Sequence, residues 1–146
     1  LGFPLELIPL APGGGYPVGC LTIAPFATTH DSSGGRQSLG LSIRCGDKCI
    51  VFSGDLGAAG DLREPLAGNP QGLVCELAHI HPSALAGVLQ GVPLELLLLV
   101  HLPEKMQPEA EDVRRYLDEH LPLVKEIFVP GDGESFPFAT VPGAPA

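Results

Sequence analysis

Positive charge is scarce in this sequence: eight Lys and Arg stand against seventeen Asp and Glu, for a formal net charge of −9. A nucleic-acid backbone is held by clustered cations, so such a partner is not expected. Arg36, Arg44, Lys48, Arg63, Arg114 and Arg115 are scattered, which leaves no local basic patch either. Long hydrophobic runs are also lacking. The run VPLELLLLV at 92–100 is far shorter than the roughly 20 residues that span a bilayer, and it contains Glu95. No membrane association is expected, and the opening LGFPLELIPLA lacks the basic start of a signal peptide. Cys20, Cys45, Cys49 and Cys75 show no disulfide-scaffold spacing, so reduced thiols in a cytoplasmic protein are the expectation.

Other absences remove whole chemistries. Without G-x-S-x-G there is no nucleophile elbow for serine-based hydrolysis. The Gly-rich stretch at 11–19 (APGGGYPVG) lacks the Lys and the Ser or Thr of a phosphate-binding loop, and it reads as a turn. Cys45 and Cys49 flank a hairpin turn while Cys20 and Cys75 belong to other strands, which argues against a zinc knuckle.

What is present is one domain's worth of chain: 146 residues, 45% hydrophobic, with 19 Gly and 16 Pro dispersed between apolar runs. That pattern implies many short elements joined by tight turns. Strands are expected at 4–11, 20–30, 39–45 and 49–53, the last two joined by a Gly-Asp-Lys hairpin turn. The pattern then changes. Apolar strands at 71–77 and 94–101 alternate with helices at 81–91, opened by Pro82, and at 107–121, where Ala110, Val113, Leu117 and Leu121 share a face. Two more strands are expected within 125–138 around the turn at 131–133, and residues 139–146 read as a frayed tail. Antiparallel strands followed by strand-helix-strand-helix-strand make an α/β layered architecture.

Three polar residues close apolar strands. His30 ends the second strand, Asp55 follows the fourth in CIVFSGDLG, and His101 ends the run at 94–101. Open α/β sheets place ligand sites at the C-terminal edge of their strands. Two imidazoles and a carboxylate on one rim suit a zinc-type ion. The remaining His120 sits at a helix end and reads as a C-terminal cap.

These residues carry a family resemblance. FATTHDSSGGRQSLGLSIRCGDKCIVFSGDLG resembles the third and fourth metal-ligand motifs of metallo-β-lactamase-fold hydrolases, closest to the branch of tRNase Z and related phosphodiesterases. LELLLLVHLPEKM resembles the fifth motif, and VPGDGESF the Asp-Gly turn with which such chains commonly finish. The resemblance implies the second βα half of an αββα sandwich over residues 1–138, a mixed sheet with flanking helices. It further implies that His30 binds a first metal, His101 a second, and that Asp55 bridges the two and shares in catalysis. Two zinc ions, or manganese in their place, would occupy the complete site. His81, opening HPSALAGV, stands where the tRNase Z branch has its proton donor, and Glu76 matches a recurrent acidic position on the preceding strand.

The departures shape the functional expectation. The family motif H-x-H-x-D-H, source of four metal ligands, is absent from this sequence. The string HIHPSA at 79–84 has the H-x-H spacing, but Ser83 and Ala84 replace the Asp and His, so His79 is not counted as a ligand. The tRNA-binding insertion between the strands joined by Gly-Asp-Lys is also missing, which favours a small phosphodiester or ester substrate over tRNA. Without its first half the sheet would expose a broad apolar face. The expectation is therefore a fragment or one part of an assembly, as the start at Leu1 without Met also suggests. The complement would be an N-terminal half of the fold, on the same polypeptide or another chain, or a second copy in a homodimer. The leading reading is a metal-dependent, phosphodiesterase-like hydrolase. The alternative is a noncatalytic half-domain that serves assembly.

Overall fold

The computed structural model describes residues 6–31 and 37–136. Residues 4–5, 32–36 and 137–146 of the expected elements, loop and tail lie outside that range. Seven strands form one sheet: β1 (Tyr16–Val18), β2 (Leu21–Ala27), β3 (Leu39–Cys45), β4 (Lys48–Phe52), β5 (Gly72–Glu76), β6 (Leu96–Val100) and β7 (Ile127–Phe128). Three α-helices accompany them: α1 (Arg63–Leu66), α2 (Pro82–Leu89) and α3 (Ala110–His120). Spatial order follows chain order, with β1 to β4 antiparallel neighbours and β4 to β7 parallel ones.

That arithmetic of directions positions the site. Two antiparallel steps restore the direction of β2 in β4, and the parallel steps keep it in β5 and β6. The C-terminal ends of β2, β4, β5 and β6 therefore share one edge of the sheet. The hairpin between β3 and β4 turns at Gly46 (φ 60°), the left-handed conformation that a two-residue loop demands.

The two faces of the sheet differ. Val51, Leu73, Cys75, Leu97, Leu99 and Ile127 point to the face where Leu62, Leu66, Leu85, Leu89, Val113 and Leu117 close the core. In α3 the expected stripe is borne out: Val113, Leu117 and Leu121 are buried and Ala110 half-buried. Register places Ile23, Ile43 and Ile50 in one cross-strand row of the other face, and Leu41, Phe52 and Val74 in the next. Leu98 and Phe128 continue it. All eight are apolar, and none belongs to the buried core cluster. Phe52 keeps 39% and Phe128 37% of its surface exposed.

Three expectations change at the sheet's margins. Residues 6–11 carry no strand and lie exposed, because no neighbouring strand pairs with them. The edge strand β1 falls instead inside 11–19, in what reads as a turn: Gly13 (φ 77°) and Gly19 (φ 60°) lie in turns on either side, while Tyr16–Val18 between them pair with β2. Of the two strands expected within 125–138, β7 forms, and 129–136 contains a turn without a second ladder.

Candidate metal centre

Each of three polar residues stands three positions past the end of its strand: His30 after β2, Asp55 after β4 and His79 after β5. His101 follows β6 directly. Because these four strand ends share an edge, four loops bring their side chains to one place. His30 Nε2 lies 3.2 Å from His79 Nε2, and the two rings meet edge to face at 4.2 Å between centroids. His101 also meets His79 edge to face, with the ring centroids 5.7 Å apart. His101 Nδ1 is 3.5 Å from Asp55 Oδ1, too far for a strong hydrogen bond.

The loops that carry these groups are tightly held. Gly54 takes φ 58°, and a Cβ there would lie 2.2 Å from the Leu39 carbonyl oxygen. Only glycine fits this turn, which swings Asp55 onto the rim. The Asp55 carbonyl accepts the Thr28 hydroxyl at 2.7 Å, linking it to the loop of His30. Gly57 packs so closely on Thr29 that a Cβ would approach the Thr29 backbone to 2.3 Å. The Asp61 carboxylate accepts the Thr29 and Ala58 backbone N–H groups at 2.9 and 3.2 Å, and that of Gly57 at 3.1 Å. His101 itself holds a left-handed backbone (φ 50°), which is uncommon for a residue with a Cβ and concentrates at functional sites.

Beneath the rim Glu76 is buried, 2% exposed. Its Oε1 accepts the Leu56 N–H at 2.9 Å and meets His79 Nδ1 at 3.2 Å. Its Oε2 accepts the N–H groups of Ala78 and His79. Next to it, burial pushes the Cys75 thiol up to about 12, the Glu76 charge adding to the effect and a bond with Ser53 opposing it. Cys75 therefore stays a protonated thiol inside the core.

His30, Asp55 and His101 thus reach one rim, as their strand-end positions imply. His81 is the N-cap of α2, its Nδ1 accepting the Ser83 N–H at 3.2 Å with the Ser83 hydroxyl 2.8 Å away. His120 Nδ1 meets the Tyr116 carbonyl at 2.7 Å, the expected capping contact. His79, set aside on the sequence because the rest of H-x-H-x-D-H does not follow it, lies at the centre of the cluster. Its signal was there to find: like His30 and Asp55, it follows an apolar strand by a short step. Ligand atoms of His30, Asp55 and His79 all lie within 4.8 Å of one another, as do those of Glu76, His79 and His101. Imidazole nitrogens with a carboxylate fit a zinc-type divalent ion. Among the described residues no such set forms at the cysteines. Cys45 and Cys49 stand on opposite faces, Cys49 being buried, and Cys45 instead lies 3.5 Å from Cys20.

No protein-family model matches the sequence, and no curated protein does. Solved structures do match the fold. Igni18, a metallo hydrolase from the hyperthermophilic archaeon Ignicoccus hospitalis, superposes with a TM-score of 0.73 at 18% identity, over 90% of this chain and 61% of its own. YhfI from Bacillus subtilis, a metallo-β-lactamase fold protein, superposes with a TM-score of 0.67 at 19% identity, over 85% of this chain and 53% of its own. The mixed seven-stranded sheet with flanking helices is thus the architecture of metallo-β-lactamase-fold proteins. The chain spans little more than half the length of these two neighbours.

Proposed function

We propose that this chain forms the C-terminal half of a metallo-β-lactamase-fold hydrolase that cleaves a small phosphodiester or ester. The single observation that carries the reading is the convergence of His30, Asp55 and His101 on one sheet edge in this fold. In the complete site His30 would hold one zinc or manganese ion, His101 a second, and Asp55 would bridge them. The ions, when bound, lower the pKa of a water and stabilise charge on the reacting oxygens. The chain's own residues do the positioning: Gly54 and the Thr28 hydroxyl fix the Asp55 backbone, and Asp61 ties the His30 loop to the Asp55 loop.

His81 would serve as proton donor. Its Nδ1 accepts from Ser83, so the ring proton of the neutral form sits on Nε2, free to be given to a leaving oxygen.

An apolar sheet face supports an N-terminal half of the fold as the complement. Ile23, Leu41, Ile43, Ile50, Phe52, Val74, Leu98 and Phe128 form an apolar surface of the kind that a second sheet covers in a layered sandwich. The neighbours, which extend well beyond the shared region, supply the length that such a half requires. The occupant is an N-terminal half bearing H-x-H-x-D-H, on the same polypeptide or a partner chain.

The test joins the chain to that half and follows hydrolysis of bis(p-nitrophenyl) phosphate with added Zn²⁺ or Mn²⁺. Asp55→Ala is expected to lower the rate at least about 100-fold. Undiminished hydrolysis in this variant would remove the bridging role. An assembled but inactive protein would instead favour a noncatalytic half-domain serving assembly.

A further inference from the structure

The geometry points to a metal site that this chain completes by itself, with His30, Asp55 and His79 as ligands and Glu76 as the residue that orients His79. The inference rests on reading the rim as a metal centre, but not on the complementary half. It differs from the family pattern at His79, which that pattern gives no ligand role.

Distance supplies the first argument. Two imidazole nitrogens bound at about 2.0–2.1 Å to one tetrahedral zinc are separated by about 3.3 Å. His30 Nε2 and His79 Nε2 stand 3.2 Å apart. Asp55 closes the set, with a carboxylate oxygen within 4.8 Å of a ring nitrogen of each histidine. Three protein ligands with a fourth position open is the arrangement of catalytic zinc sites, whereas structural sites fill all four.

The state of His79 supplies the second. A carboxylate can only accept, so the contact from His79 Nδ1 to Glu76 Oε1 at 3.2 Å places the proton on Nδ1. Neutral His79 then presents a lone pair at Nε2, the atom that faces His30. A carboxylate behind the non-ligating nitrogen is the usual support of a metal-bound imidazole. Glu76 is well placed for this and poorly placed to be a ligand itself. It is 2% exposed, and each of its oxygens already accepts a backbone N–H, from Leu56 on one side and from Ala78 and His79 on the other. The set Glu76, His79 and His101 is accordingly the weaker of the two possible groupings.

The experiment uses the 146-residue chain stripped of metal, titrated with Co²⁺ for its visible d–d absorption and then with competing Zn²⁺, with stoichiometry from elemental mass spectrometry. Wild type is expected to take up one ion per chain with a low-symmetry, tetrahedral-type spectrum. His79→Ala and His79→Gln should each lose at least about 100-fold in affinity, and Glu76→Gln about 10–100-fold with a shifted spectrum. His120→Ala, remote from the rim, should bind as wild type does. Far-ultraviolet circular dichroism establishes that each variant is folded. Wild-type affinity and spectrum in both His79 variants, with affinity lost in His101→Ala, would overturn the inference and leave the family reading intact. Failure of the wild-type chain to bind either ion would overturn it too. The assembled-protein hydrolysis assay then tests the family reading separately.

Discussion

Four hydrogen-bond donors converge on the carboxylate of Asp61: the backbone N–H groups of Thr29, Gly57 and Ala58, and the Thr29 hydroxyl. Burial alone would push its pKa up, but the donors together outweigh it and hold the group below its ordinary value of 3.8. The folded state therefore binds this proton less readily than the unfolded chain. Stability from Asp61 is fully present above the unfolded value and disappears as pH falls through the lower folded one. Asp61→Asn is expected to lower stability by about 1–3 kcal/mol at pH 7. Thermal unfolding from pH 7 down to 2 should show the gap between wild type and variant closing in the acid range; a constant gap would mean that the contact is steric rather than ionic. Nothing in the sequence around Asp61 announces this role. Its partners at Thr29 come from a loop 32 residues earlier.

At the scale of elements, the turn after β4 makes a clear demand. An alanine at Gly54 would meet two penalties, a left-handed backbone and a Cβ 2.2 Å from the Leu39 carbonyl oxygen. Gly54→Ala is expected to cost about 1–3 kcal/mol from backbone strain alone, and to weaken metal binding by displacing Asp55. Unfolding and Co²⁺ titrations on one sample would check both, and an unchanged melting temperature would show that the turn can relax. Strands β2 to β6 were legible because their apolar runs are bounded by turn residues. Strand β1 was not. Tyr16–Val18 is too short for periodicity to register, and its pairing is decided by β2 rather than by its own composition. The reverse error arose at 6–11, whose apolar residues resemble a strand but find no partner.

For the whole molecule, the contrast between the two sheet faces matters most. Among the described residues, one face is closed by helices, and the other presents an apolar surface that includes Phe52 and Phe128. If a complementary half packs there, Phe52→Glu should weaken its association by at least about 10-fold, since a charge would enter an apolar interface. Metal uptake by the isolated chain should be unaffected. Analytical ultracentrifugation of the two halves checks the first, and unaltered association would locate the partner elsewhere. No helix among the described residues is long and apolar enough to cross a membrane.

The sequence by itself determined the succession of strands and helices and the exposed ends on which His30, Asp55 and His101 ride. Those features follow from local periodicity and turn chemistry, which short stretches of chain already contain. Only the tertiary structure decided that His79 meets both His30 and His101, and that Glu76 lies buried behind it. His30 and His79 are 49 residues apart in the chain. They meet because strand direction and register bring the ends of β2 and β5 to the same edge, a relation between elements that neither segment's sequence carries alone.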